Sequence, residues 1–546
     1  MVEAVKRNTQ KTFFSGVLLL TLSTVLVKLI GLFYKIPMLS YLGTEGMGYF
    51  NSAYEIYALF CVISTAGLPV ALSVLISGAV ARGEEARAAR IYRVTRSVFL
   101  WIGIGGALFM WFFADAFCQM IKSDNALLCM RSIAPTIFLV CYSSALRGYF
   151  QGYQKMFPTA FSQLLESLGK LLFGLLLARY ALQKGFETPV VAAYAGAGLT
   201  LGTAFSTLYL MLAKAGFHPE QAKEASCEEL ESFGSGSILG QLCRLAIPMT
   251  LGASLVSLTK LVDMTMILRR LQSIGLDEIA ANEAYGSYTT LALSVFGLIP
   301  ALVNSVALPL VPMLSAAIAS KDHTKQAQMV RISYLLTSLF ALPAALGLSA
   351  FAKPILLLLF GGEPVAVETA APLLSYLGIS VFLSCMITAT NSVLHAYQVV
   401  NRPILSMLAG AVVKVVSAYF LIGSPAVAMA GAPISTFLCN LTVVLINLYF
   451  AAPLCRQPSL REIFLRPLWA SAGAVGISFG IYLWLSARRG SGTLLTLLAL
   501  LLTLVLYVVF ACLFGVFNEK DLSAVPLGKK LLSFWGRKKE DPKDAS

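Results

Sequence analysis

Lys28-Leu-Ile-Gly-Leu-Phe-Tyr-Lys-Ile-Pro37 follows the uncharged stretch 12–27 and runs on to Gly43 without another charge. Two lysines therefore sit in sequence apolar enough for lipid. Each would cost at least ~2.5–3.5 kcal/mol at the centre of a bilayer if it faced hydrocarbon. The chain then repeats the arrangement about 240 residues later. Lys28 precedes Gly43 by fifteen residues, and Lys260 precedes Gly275 by fifteen. Gly67-Leu68-Pro69 is answered by Gly297-Leu298-Ile299-Pro300, and Gly152-Tyr153-Gln154 with Pro158 by Ala396-Tyr397-Gln398 with Pro403. Lys170 and Lys414 follow their Tyr-Gln pairs at the same distance, and Ala193-Tyr194-Ala195-Gly196-Ala197 returns as Ala428-Met429-Ala430-Gly431-Ala432. Costly charges at matched places in two halves point to a pathway between two lobes.

The rest of the chain agrees with a bilayer. Of its 546 residues 58% are hydrophobic and 12% charged, with a mean hydropathy of +0.78, too little polar surface to cover a soluble globule of that size. Apolar runs near 20 residues recur, long enough to cross a hydrocarbon core of roughly 30 Å. About fourteen spans are predicted, near 12–38, 48–81, 90–115, 126–151, 157–183, 188–213, 238–268, 284–318, 328–360, 366–399, 403–424, 426–450, 466–487 and 492–517. These runs are continuous and do not alternate, which excludes a β-barrel and leaves an all-α polytopic bundle. The first span follows Lys6, Arg7 and Lys11, but its length, Lys28 and the lack of a small-residue cleavage pattern make it an anchor and not a signal peptide.

The net charge of +14 follows the topology. Arg82, Arg87, Arg90, Arg93 and Arg96, then Arg456, Arg461 and Arg466, then the tail cations Lys520, Lys529, Lys530, Arg537, Lys538, Lys539 and Lys543 all fall on one side of fourteen spans. The positive-inside rule makes that side cytoplasmic, with both termini inside, and adds attraction to anionic membrane lipid without implying nucleic acid. Six spans per repeat put both copies in the same orientation. The expected organisation is an N-lobe at 1–215, a polar and flexible cytoplasmic linker at 216–237, a C-lobe at 238–452, accessory spans at 453–518 and a basic tail at 519–546. The accessory pair, uncharged from Thr493 to Phe517, reads as lipid-facing or as a groove for an acyl chain. Pro69, Pro300, Pro309, Pro312, Pro343 and Pro372 fall inside spans, where proline kinks a helix.

The intramembrane charges are Lys28, Lys35, Lys170, Lys260 and Lys414 against Glu55, Glu166 and Asp263, with Arg147 near one face. Glu166 and Lys170, four apart, and Lys260 and Asp263, three apart, can close as local pairs. Five lysines against three carboxylates leave a cationic excess, so a cavity lined by them suits an anion on the scale of a diphosphate. Lysine offers hydrated, movable point charges that can grip and release a phosphate. Lys28, Lys170, Lys260 and Lys414, with Arg147, are therefore the expected anion contacts, while Glu55, Glu166 and Asp263 are candidates for an ion site or for buried pairing. Ten cysteines and three histidines are dispersed, with no C-x-x-C, so no metal site and no cofactor is expected. The Gly43, Gly46 and Gly48 cluster reads as backbone freedom in a turn, and no G-x-x-x-x-G-K-[ST] loop is present. The loops are too short to build an enzyme.

The run Lys28 to Pro37, with Leu42-Gly-Thr-Glu-Gly-Met-Gly-Tyr49 and Ser64-Thr-Ala-Gly-Leu-Pro-Val-Ala71, resembles the stage V sporulation protein B branch of the polysaccharide-biosynthesis transporters. That branch sits beside the MurJ lipid II flippases in the multidrug/oligosaccharidyl-lipid/polysaccharide exporter superfamily. The resemblance covers nearly the whole chain. It implies two six-helix lobes around a V-shaped cavity, two further helices, and alternating access. The implied cargo is an undecaprenyl-diphosphate-linked saccharide such as lipid II, moved from the inner to the outer leaflet. The location expected is the bacterial inner membrane, the drive is left open among Na+, H+ and membrane potential, and a monomer is the expected working unit. Lys28 and Gly31 fit the MurJ pattern, whereas Tyr34-Lys35-Ile36 replaces its Arg-Asp pair. The weighed alternatives are a cation-coupled multidrug exporter, which would want an acidic cavity, an exporter of another lipid-linked polysaccharide unit, a membrane-bound synthetic enzyme, and a scaffold of a sporulation or cell-wall complex.

Overall fold

A computed structural model of the chain describes residues 2–217, 235–307, 314–315, 317–318, 320–399, 401–454, 459, 461–490 and 492–516. Pro309, Pro312, Arg456, most of the 216–237 linker and the tail beyond 516 lie outside the described residues. The helices are α1 Val2–Thr65, α2 Leu68–Ala81, α3 Glu85–Phe112, α4 Ala114–Ile121, α5 Leu127–Gly152, α6 Met156–Gln183, α7 Thr188–Ala215, α8 Ser235–Ser273 and α9 Glu278–Ser287. They continue as α10 Leu293–Ala307, α11 His323–Ala350, α12 Ala352–Phe360, α13 Pro364–Ala396, α14 Asn401–Ile422, α15 Gly431–Ala451, α16 Arg466–Arg489 and α17 Thr493–Leu513. Every element among the described residues is helical.

Thirteen helices among the described residues are long and apolar enough to cross a membrane, and the first of these, Ser23–Val62, has 40 residues. At 1.5 Å per residue that is ~60 Å of helix, twice a ~30 Å core. The surplus is resolved at Gly43, whose φ of 66° and ψ of −178° break α1 into two arms. The arms fold back on each other, because the rings of Tyr34 and Phe50 lie 6.3 Å apart centroid to centroid across sixteen residues of chain. α1 therefore makes two passes, which accounts for the fourteen expected. A left-handed φ is open to glycine at little cost. The matched Gly275 also has positive φ, at 105°, and the two Tyr-Gln corners agree more closely, with Gln154 at φ 58° and Gln398 at φ 60°.

Two expectations need correction. The predicted span 48–81 is broken after Thr65, and Pro69 lies in the first turn of α2, where a missing N–H leaves no bond unmade, and not in a helix interior. The predicted span 284–318 is interrupted by a π-helical turn at Tyr288–Ala292. Pro300, Pro343 and Pro372 do lie inside helices.

Contacts divide the chain into two compact units. The first comprises Met1–Leu298, Gly362–Ala370 and Ala411–Ser435, and within it α9 lies directly on the second arm of α1. A Cβ on Gly286 would overlap the Thr44 carbonyl oxygen, so the two backbones touch. Gly286→Val should lower the thermal unfolding temperature in detergent, a loss of about 1–3 kcal/mol from overpacking. An unchanged melting curve would show that this approach is absent from the folded protein.

The second unit comprises Ile299–Gly361, Ala371–Gly410 and Thr436–Ser546. In it the last two helices pack small faces, Ala470, Ala474 and Ala511, against Leu335 and Leu339 of α11, and the Tyr507 hydroxyl donates to the Leu339 carbonyl at 2.7 Å. The opposite side of α17 leaves Leu494, Leu501, Leu504 and Leu513 exposed, as a helix against lipid requires. Asn447 anchors α15 by donating to Thr390 Oγ1 at 3.0 Å and to Asn391 Oδ1 at 2.8 Å, while Ser406 Oγ donates to its Oδ1 at 2.6 Å.

Candidate anion-binding site

All the intramembrane charges named above fall in the first unit. Lys35, on the first arm of α1, donates from Nζ to the Thr289 carbonyl at 3.2 Å and to Ser294 Oγ at 2.9 Å. The π-helical turn explains why a main-chain oxygen is available there, since its wide pitch displaces carbonyls from the regular ladder. Asn51, on the second arm, donates to Thr289 Oγ1 and Thr290 Oγ1, each at 2.9 Å. Both arms of α1 are thus tied to one turn, and the Lys35 ammonium is held by neutral acceptors.

Lys170 on α6 has no hydrogen bond and no ion pair among the described residues. Its Nζ stands 4.5 Å from the Tyr54 ring centroid, 5.2 Å from that of Tyr34 and 5.8 Å from that of Phe50. The local pairs allowed by helical spacing do not form. Glu166 is taken by Arg147 of α5 at 2.7 Å, with Arg147 Nε also donating to Ser162 Oγ at 2.9 Å. Asp263 is taken by Lys414 of α14 at 3.1 Å. Spacing along one helix permits a pair, but packing decides which cation lies in front of each carboxylate. At Glu166 the planar Arg147 fork, already fixed by a serine, is the better partner.

These two pairs leave Lys170 and Lys260 without their local acids. Lys28 and Lys260 are exposed and make no hydrogen bond or ion pair among the described residues, yet they are close enough to interact electrostatically. Lys35 interacts in the same way with Lys170, Lys260 and Glu55. Glu55 is half-buried and has no hydrogen bond or ion pair among the described residues. Lys35 on α1 thus lies within electrostatic range of Lys170 on α6, of Lys260 on α8 and of the Glu55 carboxylate, and Lys260 lies within range of Lys28. Such a grouping within membrane-grade helices attracts an anion. Of the expected contacts, Lys28, Lys170 and Lys260 belong to this group, joined by Lys35, whereas Arg147 and Lys414 are neutralised by carboxylates.

Among the described residues no three His, Cys, Asp or Glu side chains come together as a metal site, and eight cysteines are free thiols. A cavity of about 400 Å³ lined by Phe60, Ile102, Phe109, Ile137 and Cys141 carries no charge and lies apart from the lysines.

Residues 13–318 match the family described as Polysaccharide biosynthesis protein. The chain belongs to that family. Residues 248–420 also match the MatE family. Among the relatives of this chain, stage V sporulation protein B of Bacillus subtilis (strain 168) is 25% identical over 449 residues, covering 80% of this chain and 83% of that protein. Lipid II flippase MurJ of the same organism is 24% identical over 419 residues, covering 73% and 76%. A solved lipid II flippase MurJ in an inward closed conformation superimposes with a TM-score of 0.67 at 14% identity, covering 91% of this chain and 99% of that one. The chain is therefore a multi-pass membrane transporter of the multidrug/oligosaccharidyl-lipid/polysaccharide exporter superfamily, and not an enzyme.

Sequence reading missed the ring cage around Lys170. Tyr34, Phe50 and Tyr54 are spread over both arms of α1, so no spacing rule joins them to a lysine on α6. It counted Lys35 in the cationic excess but did not single it out as a contact, because its acceptors exist only through the π-helical turn.

Proposed function

We propose that this transporter is a flippase for a polyprenyl-diphosphate-linked saccharide, a lipid II-like peptidoglycan precursor, working in the bacterial plasma membrane with both termini in the cytoplasm. The observation that supports it best is the series of neighbouring lysines, Lys28, Lys260, Lys35 and Lys170, with the unpaired Glu55 beside Lys35. A diphosphate cannot cross hydrocarbon bare, and ammonium groups replace the hydration it loses. Movable lysines hold it without fixing it. The 1–215 and 238–452 lobes rock about this site, exposing it to each leaflet in turn. Lys414 and Arg147 then enter the anion's shell only if their carboxylate partners let go.

The match to the MatE family over 248–420 favours a second reading, a cation-coupled drug exporter. The sign of the charge cluster opposes it, because a cationic drug would meet like charge. Leaflet-resolved transport in proteoliposomes separates the two. Polyprenyl-diphosphate saccharides should be flipped, an organic cation should not, and ion gradients imposed singly will identify the drive among Na+, H+ and membrane potential. Export of the cation with no movement of the lipid-linked saccharide would overturn the flippase.

A further inference from the structure

Lys170 is the one member of the lysine group whose ammonium rests only on ring faces. Its three N–H donors have no acceptor among the described residues, although Glu166 lies one turn away on the same helix, because Arg147 occupies that carboxylate at 2.7 Å. Lys35 repels it from within electrostatic range, while Glu166 still attracts it without forming a hydrogen bond or ion pair. The rings it rests on come from both arms of α1. Tyr34 precedes the break at Gly43, while Phe50 and Tyr54 follow it. Tyr34 and Phe50 are both 2% exposed, so the cage is packed and not a chance surface contact.

We propose that Tyr34, Phe50 and Tyr54 hold Lys170 in reserve until an anion arrives, and that an arriving diphosphate draws the ammonium out, removing the bridge by which α6 grips both arms of α1 on either side of Gly43. The proposal rests on the anion-binding reading above and adds the device that senses loading. Ring faces satisfy an ammonium less well than charge-assisted hydrogen bonds to phosphate oxygens do. An anion between Lys35 and Lys170 turns their repulsion into a shared attraction. Tyr34, Phe50 and Tyr54 are positioning residues, and Lys170 is the group that touches the anion. When Lys170 leaves, the ammonium of α6 no longer bridges the two arms through the cage, and what still ties them is the π-helical turn that Lys35 and Asn51 share.

The cage stabilises the unloaded state, so weakening it should tighten binding, a sign opposite to that of losing a contact. Farnesyl diphosphate binding to the full chain in nanodiscs tests this. Tyr54→Leu should bind about five-fold more tightly, the equivalent of one ring face, and turn over more slowly in liposomes because release is harder. Tyr54→Phe, which keeps the ring, should bind within about twofold of the unaltered chain, and Lys170→Met, whose apolar side chain suits the cage, about tenfold more weakly. Unchanged or weaker binding by Tyr54→Leu overturns the latch, as does unchanged binding by Lys170→Met. If the unaltered chain binds no farnesyl diphosphate, the anion-binding reading falls and the latch falls with it.

Discussion

Lys260→Ala and Lys28→Ala are each expected to cut transport of a polyprenyl-diphosphate saccharide by about ten- to a hundredfold at equal reconstituted protein. A hydrogen bond to a charged group contributes about 1.5–3 kcal/mol, and each 1.4 kcal/mol is a tenfold change. Both side chains are exposed and make no hydrogen bond or ion pair among the described residues, so their removal should leave stability within about 0.5 kcal/mol. The combination distinguishes a ligand contact from a structural lysine. Arginine at either position keeps the charge but loses the compact ammonium, and should retain binding better than turnover. Full transport by both alanine variants, with normal insertion, would remove the cationic site from the mechanism.

Asp263→Ala should act in the opposite way, on the fold before the transport. Asp263 and Lys414 meet at 3.1 Å with side chains only 11% and 13% exposed. Removing one partner strands a buried charge, which costs about 3–5 kcal/mol. Thermal unfolding in detergent measures this, and Asp263→Ala should lower the transition markedly. Adding Lys414→Met to the same chain should recover most of the loss, because no charge is then left alone. Lys414→Met alone should be milder than Asp263→Ala, since Lys260 lies one helical turn from the freed carboxylate. If the double variant is no more stable than Asp263→Ala, the pair is not what holds α8 to α14.

Much of this molecule can be read from side-chain chemistry along the chain. Apolar runs interrupted by Gly43, the Tyr-Gln corners and the basic loops specify a polytopic helical protein, because a bilayer leaves a backbone few alternatives. Gly43 illustrates the reach of that reading. Its residue type declares freedom for a positive φ, and the structure uses that freedom at 66° to turn α1 back on itself. The lysines could also be singled out, since a charge in apolar sequence is costly wherever it comes to rest.

Which carboxylate each cation meets was beyond such reading. Glu166 stands four residues from Lys170 and bonds Arg147, while Asp263 stands three residues from Lys260 and bonds Lys414. Local spacing defines only who could meet on one helix, whereas the energy of a buried charge depends on what neighbouring helices bring within a few ångströms. The same holds for the Tyr34, Phe50 and Tyr54 cage, assembled from two antiparallel arms around a lysine of a third helix. Hydrophobicity is a property of each residue and survives being read in a line. Charge pairing is a property of distances between elements, which exist once the helices have packed.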